Sequence, residues 1–227
     1  MFGKIKIALM IFAIAMLNMS CNSENKAINL QQSACMNDTK VSSDKMIIQI
    51  ILGSTRQGRT SEKIAKSLQQ MADTRADVTT EIIDLRDYNL PFFNDEIAPA
   101  SRKSITDPII KKWSDKIKEA QAYIVVVPEY NAGYPAVLKN ALDSLYQEWN
   151  HKPVAFVGYS GGPSGGTSAI AQLRTVVHAL KMIPVASDIN IPQSWKAFDE
   201  KGDMVNKNIQ QELYTILDQI IQAQQTD

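Results

Sequence analysis

Short apolar runs alternate with amphipathic stretches from Met46 to the end of the chain. The runs that predict strands are Ile47 to Leu52, Val78 with Ile82 and Ile83, Tyr123 to Val127, Val154 to Val157, and Ile183 to Ala186. Three of these runs are continuously apolar, which is typical of parallel strands covered by helices on both faces. The pattern therefore predicts a parallel sheet built from strand, helix and strand units.

Apolar residues at helical spacing separate these strands and predict five helices. Thr60 or Ser61 would cap the first helix, and Asp107 would cap the second, with Pro108 at its first position. The stripes are Ile64, Leu68, Met71 and Ala72; Ile109, Ile110, Trp113 and Ile117; Val137, Leu138, Ala141, Leu142 and Leu145; Ile170, Leu173, Val176, Val177 and Leu180; and Val205, Ile209, Leu213, Ile216, Leu217, Ile220 and Ile221. We expect an α/β fold of the flavodoxin type, a doubly wound five-stranded parallel sheet in the order 2-1-3-4-5.

The first 45 residues have a different composition. Lys4 and Lys6 precede an apolar run of 11 residues, which is typical of a secretory signal and shorter than the roughly 20 residues that span a bilayer. Ser20 before Cys21 also resembles a lipoprotein processing site, at which Cys21 would be acylated. We therefore expect a signal-like segment over residues 1–21, a disordered polar tether over 22–45 and one folded domain over 46–227.

Three interpretations of this leader remain open. The domain is exported, or it is anchored to a membrane by a lipid on Cys21, or translation begins at Met46 and the catalytic domain stays in the cytoplasm. Both cysteines of the chain, Cys21 and Cys35, precede Met46, so the folded domain contains no thiol for a disulfide or a thiolate metal site.

The net charge and the histidine content exclude some classes of function. Lysine plus arginine equals aspartate plus glutamate at 24 each, so the chain lacks the excess positive charge that holds a nucleic-acid backbone. His151 and His178 are the only histidines, and we expect no metal site. We interpret His178, within an apolar helical stripe, as a packing residue.

The loop after the first strand, Gly53 to Ser61, combines glycines, hydroxyl groups and two arginines. Because it leads into a helix N-terminus at the carboxyl edge of the sheet, it is typical of a phosphate-binding loop. A solvated turn is the plainer alternative. A nucleoside triphosphatase is disfavoured, because Arg59 stands where its loop needs lysine and the third strand ends in Pro128 rather than a magnesium-binding aspartate.

Two further loops follow the third and fourth strands. Residues 128–135 contain two prolines and two tyrosines that could border a flat heterocycle, or form a structural turn. Residues 158–166 contain five glycines, which allow close backbone approach to a ligand or simple flexibility. Gly158, Ser160 and Gly162 match a hydrolase nucleophile elbow, but residues 161–177 contain no acid and His178 is the last histidine, so the required order of triad residues is missing.

Together, Gly53 to Arg59, Pro128 to Asp143 and Lys152 to Gly166 resemble the NADPH-dependent FMN reductase family of the flavodoxin superfamily, which includes azo, quinone and chromate reductases. The similarity runs from about Met46 to Pro192. It implies FMN as cofactor and NADPH or NADH as co-substrate. The implied phosphate ligands are Ser54, Arg56, Arg59, Thr60 and Ser61. The implied ring contacts are Pro128, Glu129, Tyr130 and Asn131 on one side, and Ser160, Gly161 and Gly162 on the far side.

The resemblance also implies a reaction, in which hydride passes from NAD(P)H to N5 of bound FMN and then to a flavin, quinone, azo or metal-oxyanion acceptor. No side chain is expected to be catalytic, because the flavin carries the chemistry. A homodimer or homotetramer is implied, with Trp149 and the helix around Leu145 either at the interface or in the core. Two alternatives are an FMN-binding electron carrier that does not use pyridine nucleotides and a noncatalytic, membrane-tethered binding protein.

Overall fold

A parallel β-sheet forms the centre of the computed structural model, which describes residues 45–225. The strands are β1 (Met46–Leu52), β2 (Val78–Asp84), β3 (Ala122–Pro128), β4 (Pro153–Tyr159), β5 (Ile183–Pro184) and β6 (Ile189–Ile191). The α-helices are α1 (Ser61–Ala72), α2 (Pro108–Lys118), α3 (Ala136–Asp143), α4 (Thr167–Ala179) and α5 (Ile209–Gln225). Single turns of 3₁₀-helix cover Leu85–Asp87, Pro99–Ser101 and Ser194–Lys196.

The strand order β2-β1-β3-β4-β5 confirms the predicted doubly wound topology. The outer position beside β4 is shared by two short strands rather than occupied by one. β5 pairs with Pro153 and Val154, whereas β6 pairs with residues 157–159 further along β4. The sequence pattern missed β6 because this strand has only three residues, and its middle residue, Asn190, is exposed.

Helices cover both faces of the sheet, as the apolar strand sequences require. α1 and α5 pack on one face, and α2, α3 and α4 pack on the other. Asp107 caps α2 as predicted, because its carboxylate accepts hydrogen bonds from the backbone N–H groups of Ile109 and Ile110. α5 begins at Ile209, four residues after Val205, which is exposed.

Trp149 and Leu145 belong to the hydrophobic core and are not exposed for contact with a second subunit. Trp149 is fully buried, its indole N–H donates to the Leu142 carbonyl, and its ring centroid lies 5.1 Å from that of Tyr123. Of the two alternatives for this region, the structure selects the core. The interpretation of His178 as a packing residue is wrong, because His178 lies on the exposed face of α4.

Among the described residues, none of the helices is long and apolar enough to cross a membrane. The signal-like segment, Cys21 and nearly all of the tether lie outside the described residues, so the interpretations of the leader stay predictions.

Candidate functional site

The first loop runs close to the backbone of β3 before α1 begins. The Gly53 N–H donates to the Val126 carbonyl on β3 at 2.9 Å, and a Cβ at Gly53 would lie 3.0 Å from that oxygen. The next residue, Ser54, is fully buried, and its hydroxyl lies 2.7 Å from the Tyr130 hydroxyl in the second loop. Glycine at position 53 therefore favours this close approach of the loop backbone to β3, and the Ser54 hydroxyl joins the first and second loops.

Arg56 presents its guanidinium to the solvent side of the loop. The group lies 5.7 Å from the Tyr130 ring centroid, within the range of a cation–π contact. Arg56 forms no ion pair with any residue of the described range 45–225. Its donors are consequently available to an anion.

Arg59 has a different environment from the one that the sequence suggested. Its side chain is 1% exposed and forms ion pairs with both carboxylate oxygens of Asp84 and with Glu62, and it also donates to the Ser54 carbonyl. Its Nε is buried and has no partner within the described residues. The two terminal nitrogens of the Arg59 guanidinium thus donate four hydrogen bonds within the protein, which hold the loop in place. Only Nε remains available as a phosphate donor.

The pKa values of the Arg59 and Asp84 pair reflect this contact. Burial disfavours both charges, but the hydrogen bonds between them and their mutual attraction outweigh it. The pKa of Arg59 is therefore raised, and the pKa of Asp84 is lowered, from their ordinary values. Both groups are charged at neutral pH.

Arg86 holds the same loop from the end of β2. Its Nε donates to the Thr55 carbonyl at 3.2 Å and a terminal nitrogen donates to the Arg56 carbonyl at 2.5 Å. Arg86 is not among the site residues predicted from the sequence, although its place just after β2, the neighbour of β1, is a usable signal. Arg59 and Arg86 together donate hydrogen bonds to the loop carbonyl groups. These hydrogen bonds give the Arg56 backbone a defined position.

The N-terminus of α1 supplies the remaining polar groups of the first loop. Thr60 is the N-cap residue, and the buried Ser61 hydroxyl interacts with the Tyr159 side chain. A helix N-terminus attracts anions. The N-terminus of α1 and Arg56 together fit a phosphate group.

The second loop is a tight turn whose ends pair through their backbones. Tyr130 and Gly133 exchange hydrogen bonds of 2.7 and 3.0 Å, and Asn131 and Ala132 between them have φ values of 50° and 60°. Asparagine is among the residues that tolerate this left-handed conformation. Asn131 therefore shapes the turn and lies exposed at its tip.

Glu129 has its carboxylate engaged inside the protein. It accepts hydrogen bonds from the Ser164 hydroxyl at 2.9 Å and from the Ser168 N–H in the first turn of α4 at 3.0 Å. A carboxylate at a helix N-terminus is favourable. Glu129 thus connects the second loop to the third, and its backbone N–H donates to the Tyr159 carbonyl at 3.0 Å.

The third loop uses its glycines for two purposes. Gly166 has φ 91°, and a Cβ there would lie 2.6 Å from the Gly158 Cα, so backbone packing requires glycine. Gly161 and Gly162 would instead direct a Cβ into open space. The Ser160 hydroxyl donates to the Gly162 carbonyl and accepts from the Gly165 N–H, both at 2.9 Å, so Ser160 maintains the loop shape.

The three loops surround a cleft of about 280 Å³ at the carboxyl edge of the sheet. Its lining residues are Arg56, Gly58, Arg59, Thr60, Pro128, Glu129, Tyr130, Tyr159, Ser160, Gly161, Ser194 and Trp195. Most of the predicted site residues therefore meet in one place. Ser54, Ser61, Asn131 and Gly162 are outside this lining, and the sequence analysis missed Tyr159, Ser194 and Trp195.

Comparisons with known proteins match the same part of the chain. Residues 46–196 match the family model described as NADPH-dependent FMN reductase. An NAD(P)H-dependent FMN reductase of Schizosaccharomyces pombe is 37% identical over 149 residues, which cover 64% of this chain and 74% of the relative. A quinone reductase of Pseudomonas putida is 30% identical over 140 residues, covering 60% of this chain and 71% of the relative.

A solved structure shares the fold. The flavoenzyme FerB, an NAD(P)H:(acceptor) oxidoreductase of Paracoccus denitrificans, superposes with a TM-score of 0.66 at 24% identity. The match covers 78% of this chain and 98% of FerB.

Proposed function

This chain belongs to the NADPH-dependent FMN reductase family, and from that premise we propose that the cleft at the ends of β1, β3 and β4 binds FMN. The activity is that of an FMN-dependent NAD(P)H oxidoreductase. Bound FMN supplies the chemistry, because it accepts a hydride from NAD(P)H and gives electrons to an acceptor. The observation that carries the proposal is that Arg56, which has no ion-pair partner within residues 45–225, and Thr60 at the N-terminus of α1 border one cleft.

The first loop holds the phosphate in this proposal. Arg56 donates to the phosphate oxygens, Thr60 and Ser61 offer hydroxyl groups, and the first N–H groups of α1 add partial positive charge. Ser54, which is bonded to Tyr130, keeps the phosphate end and the ring end in register. Arg59 contributes through Nε and otherwise fixes the loop.

Pro128, Tyr130, Ser160 and Gly161 border the ring. Gly161 has no side chain to fill the cleft, and Ser160 directs its hydroxyl into its own loop. The ring is therefore contacted mainly by backbone and by Tyr130. Asn131 acts through the shape of the turn rather than through its side chain. No residue is assigned as a catalytic acid or base.

The acceptor is a small, flat, electron-poor molecule such as a quinone, and free flavins, azo compounds and metal oxyanions are the other candidates. The quinone reductase of Pseudomonas putida supports this choice. The cleft is open to solvent, which suits a site that NAD(P)H and the acceptor use in turn.

Self-association to a homodimer is supported by exposed apolar side chains on one segment. Phe92 is 81% exposed and Ile97 is 56% exposed. The segment is anchored, because the Asn140 side chain accepts from the Phe93 N–H and donates to the Pro91 carbonyl, both at 2.8 Å. Replacing Phe92 with Asp should convert a dimer to a monomer by light scattering, and a monomeric wild-type protein would overturn this assignment.

The catalytic domain works in the cytoplasm in this proposal, because NAD(P)H is available there. The alternative of an exported or Cys21-anchored lipoprotein concerns residues outside the described range. Cell fractionation and the intact mass of the protein from its native source test the choice. A lipid-modified Cys21 in the membrane fraction would contradict it.

The function is tested by mixing the purified full-length chain with FMN and NADPH, followed by a quinone. Retention of FMN on gel filtration with rapid, quinone-dependent NADPH oxidation supports the proposal. Retention of FMN without oxidation indicates an electron carrier instead. Absence of FMN retention indicates a noncatalytic binding protein and overturns the proposal.

A further inference from the structure

Trp195 is the exposed tryptophan of this protein and it lines the cleft. Its side chain is 68% exposed, whereas Trp113 and Trp149 are fully buried. Tryptophan carries the largest apolar surface of any residue, so its exposure is costly unless a ligand covers it. Phosphate binding by the first loop does not account for an exposed tryptophan at the cleft.

The backbone around Trp195 holds it in a fixed position beside the third loop. The Ser194 N–H donates to the Ser160 carbonyl at 2.8 Å, and the Gln193 N–H donates to the Gly162 carbonyl at 2.9 Å. Gln193 itself has φ 47°, in the left-handed region that costs energy for a residue other than glycine. The chain thus accepts local strain to hold the 3₁₀ turn Ser194–Lys196 against the residues at the ring end of the cleft.

The indole has one face engaged. The Lys196 ammonium lies 4.5 Å from the Trp195 ring centroid, as expected for a cation–π contact. The large exposed fraction of Trp195 means that a planar ring can approach the other face. Tyr130, by contrast, has its hydroxyl bonded to Ser54 and its ring in contact with Arg56.

We propose that Trp195 is a flavin-contacting residue, whose indole stacks on the isoalloxazine ring of FMN bound in this cleft. The inference rests on the proposed function and adds a contact from the β6 end of the sheet, outside the three loops. Stacking covers apolar indole surface and pairs an electron-rich ring with an electron-poor one. Because indole is the stronger electron donor, it quenches flavin emission more strongly than a phenyl ring in the same place.

The test uses the full-length protein with Trp195→Phe and Trp195→Ala variants. The fluorescence of bound FMN and its dissociation constant are measured by titration, and thermal unfolding of the ligand-free proteins checks folding. Val205→Ala is the matched control, because Val205 is 54% exposed but does not line the cleft.

We expect bound FMN to be strongly quenched in the wild type and in the control. Trp195→Phe should restore part of the emission with little change in affinity. Trp195→Ala should restore emission and weaken FMN binding by about tenfold. Equal emission in all four proteins, or weaker binding without recovered emission, would overturn the stacking. Failure of the wild type to bind FMN would instead overturn the proposed function, and the Trp195 assignment with it.

Discussion

Two arginines that look equivalent in the sequence have different roles in the structure. Arg56 and Arg59 lie three positions apart in one loop, and the sequence alone assigns both to phosphate. The structure separates them, because Asp84 and Glu62 take most of the Arg59 donors while Arg56 has no carboxylate partner in the range described. The sequence could not reveal this difference, since Asp84 lies 25 residues away on another strand.

Replacing Arg59 should affect folding first. Arg59→Met removes the partner of Asp84, whose side chain is only 21% exposed, and we expect a loss of about 2–3 kcal/mol in unfolding free energy. Urea denaturation of the ligand-free protein measures it. Arg56→Met is the matched control and should stay within about 0.5 kcal/mol of the wild type. Equal stability of the two variants would refute the structural role of Arg59.

Lys152 gives the protein a distinct pH dependence. Its ammonium donates to the Ile117 carbonyl and the Tyr123 hydroxyl, both at 3.0 Å, and burial lowers the pKa of Lys152 to about 8. A lysine in an unfolded chain has a pKa of about 10.4. Between about pH 8 and this value, the unfolded state therefore binds more protons than the folded state. Stability should therefore rise as pH increases from about 8 to 10.

The Lys152→Met variant isolates this effect. Its unfolding free energy should rise less than that of the wild type across the same pH range, because the other titrating groups are common to both proteins. Urea denaturation of both proteins at about pH 8, 9 and 10 provides the comparison. Parallel pH profiles would show that Lys152 does not titrate in this range.

At the scale of elements, the third loop shows how one composition serves two purposes. A run rich in glycine predicts close approach of backbone, but it does not say whether the neighbour is a ligand or another strand. In the structure, Gly166 packs against Gly158 on β4, and Gly161 borders the cleft. Distinguishing them requires the crossing geometry of the loop and β4, which no local sequence signal contains.

Alanine substitutions should separate the two glycines. Gly166→Ala forces a Cβ to within 2.6 Å of β4 backbone at a positive φ, so we expect a loss of about 3 kcal/mol or more, or failure to fold. Gly161→Ala has open space and should keep wild-type stability while weakening FMN binding. Thermal unfolding and FMN titration measure both effects. A destabilised Gly161→Ala protein would contradict this division.

At the scale of the whole molecule, the strand order was predictable and the outer edge of the sheet was not. Long apolar runs mark β1, β3 and β4, and the topology of parallel sheets then places their loops at one edge. β6 and the Trp195 turn escaped prediction because a three-residue strand has too little periodicity to detect. Trp195, the most exposed aromatic side chain lining the cleft, therefore lies in a segment that the sequence pattern did not predict.

The central claim is that the cleft recognises a phosphorylated flavin, with Arg56 on its phosphate. The most direct measurement is the affinity of the full-length wild type and Arg56→Ala for FMN and for riboflavin, which lacks the phosphate. We expect the wild type to prefer FMN, and Arg56→Ala to lose about tenfold to a hundredfold in FMN affinity with riboflavin affinity unchanged. Equal FMN affinity in the two proteins, or no preference of the wild type for FMN over riboflavin, would contradict the account.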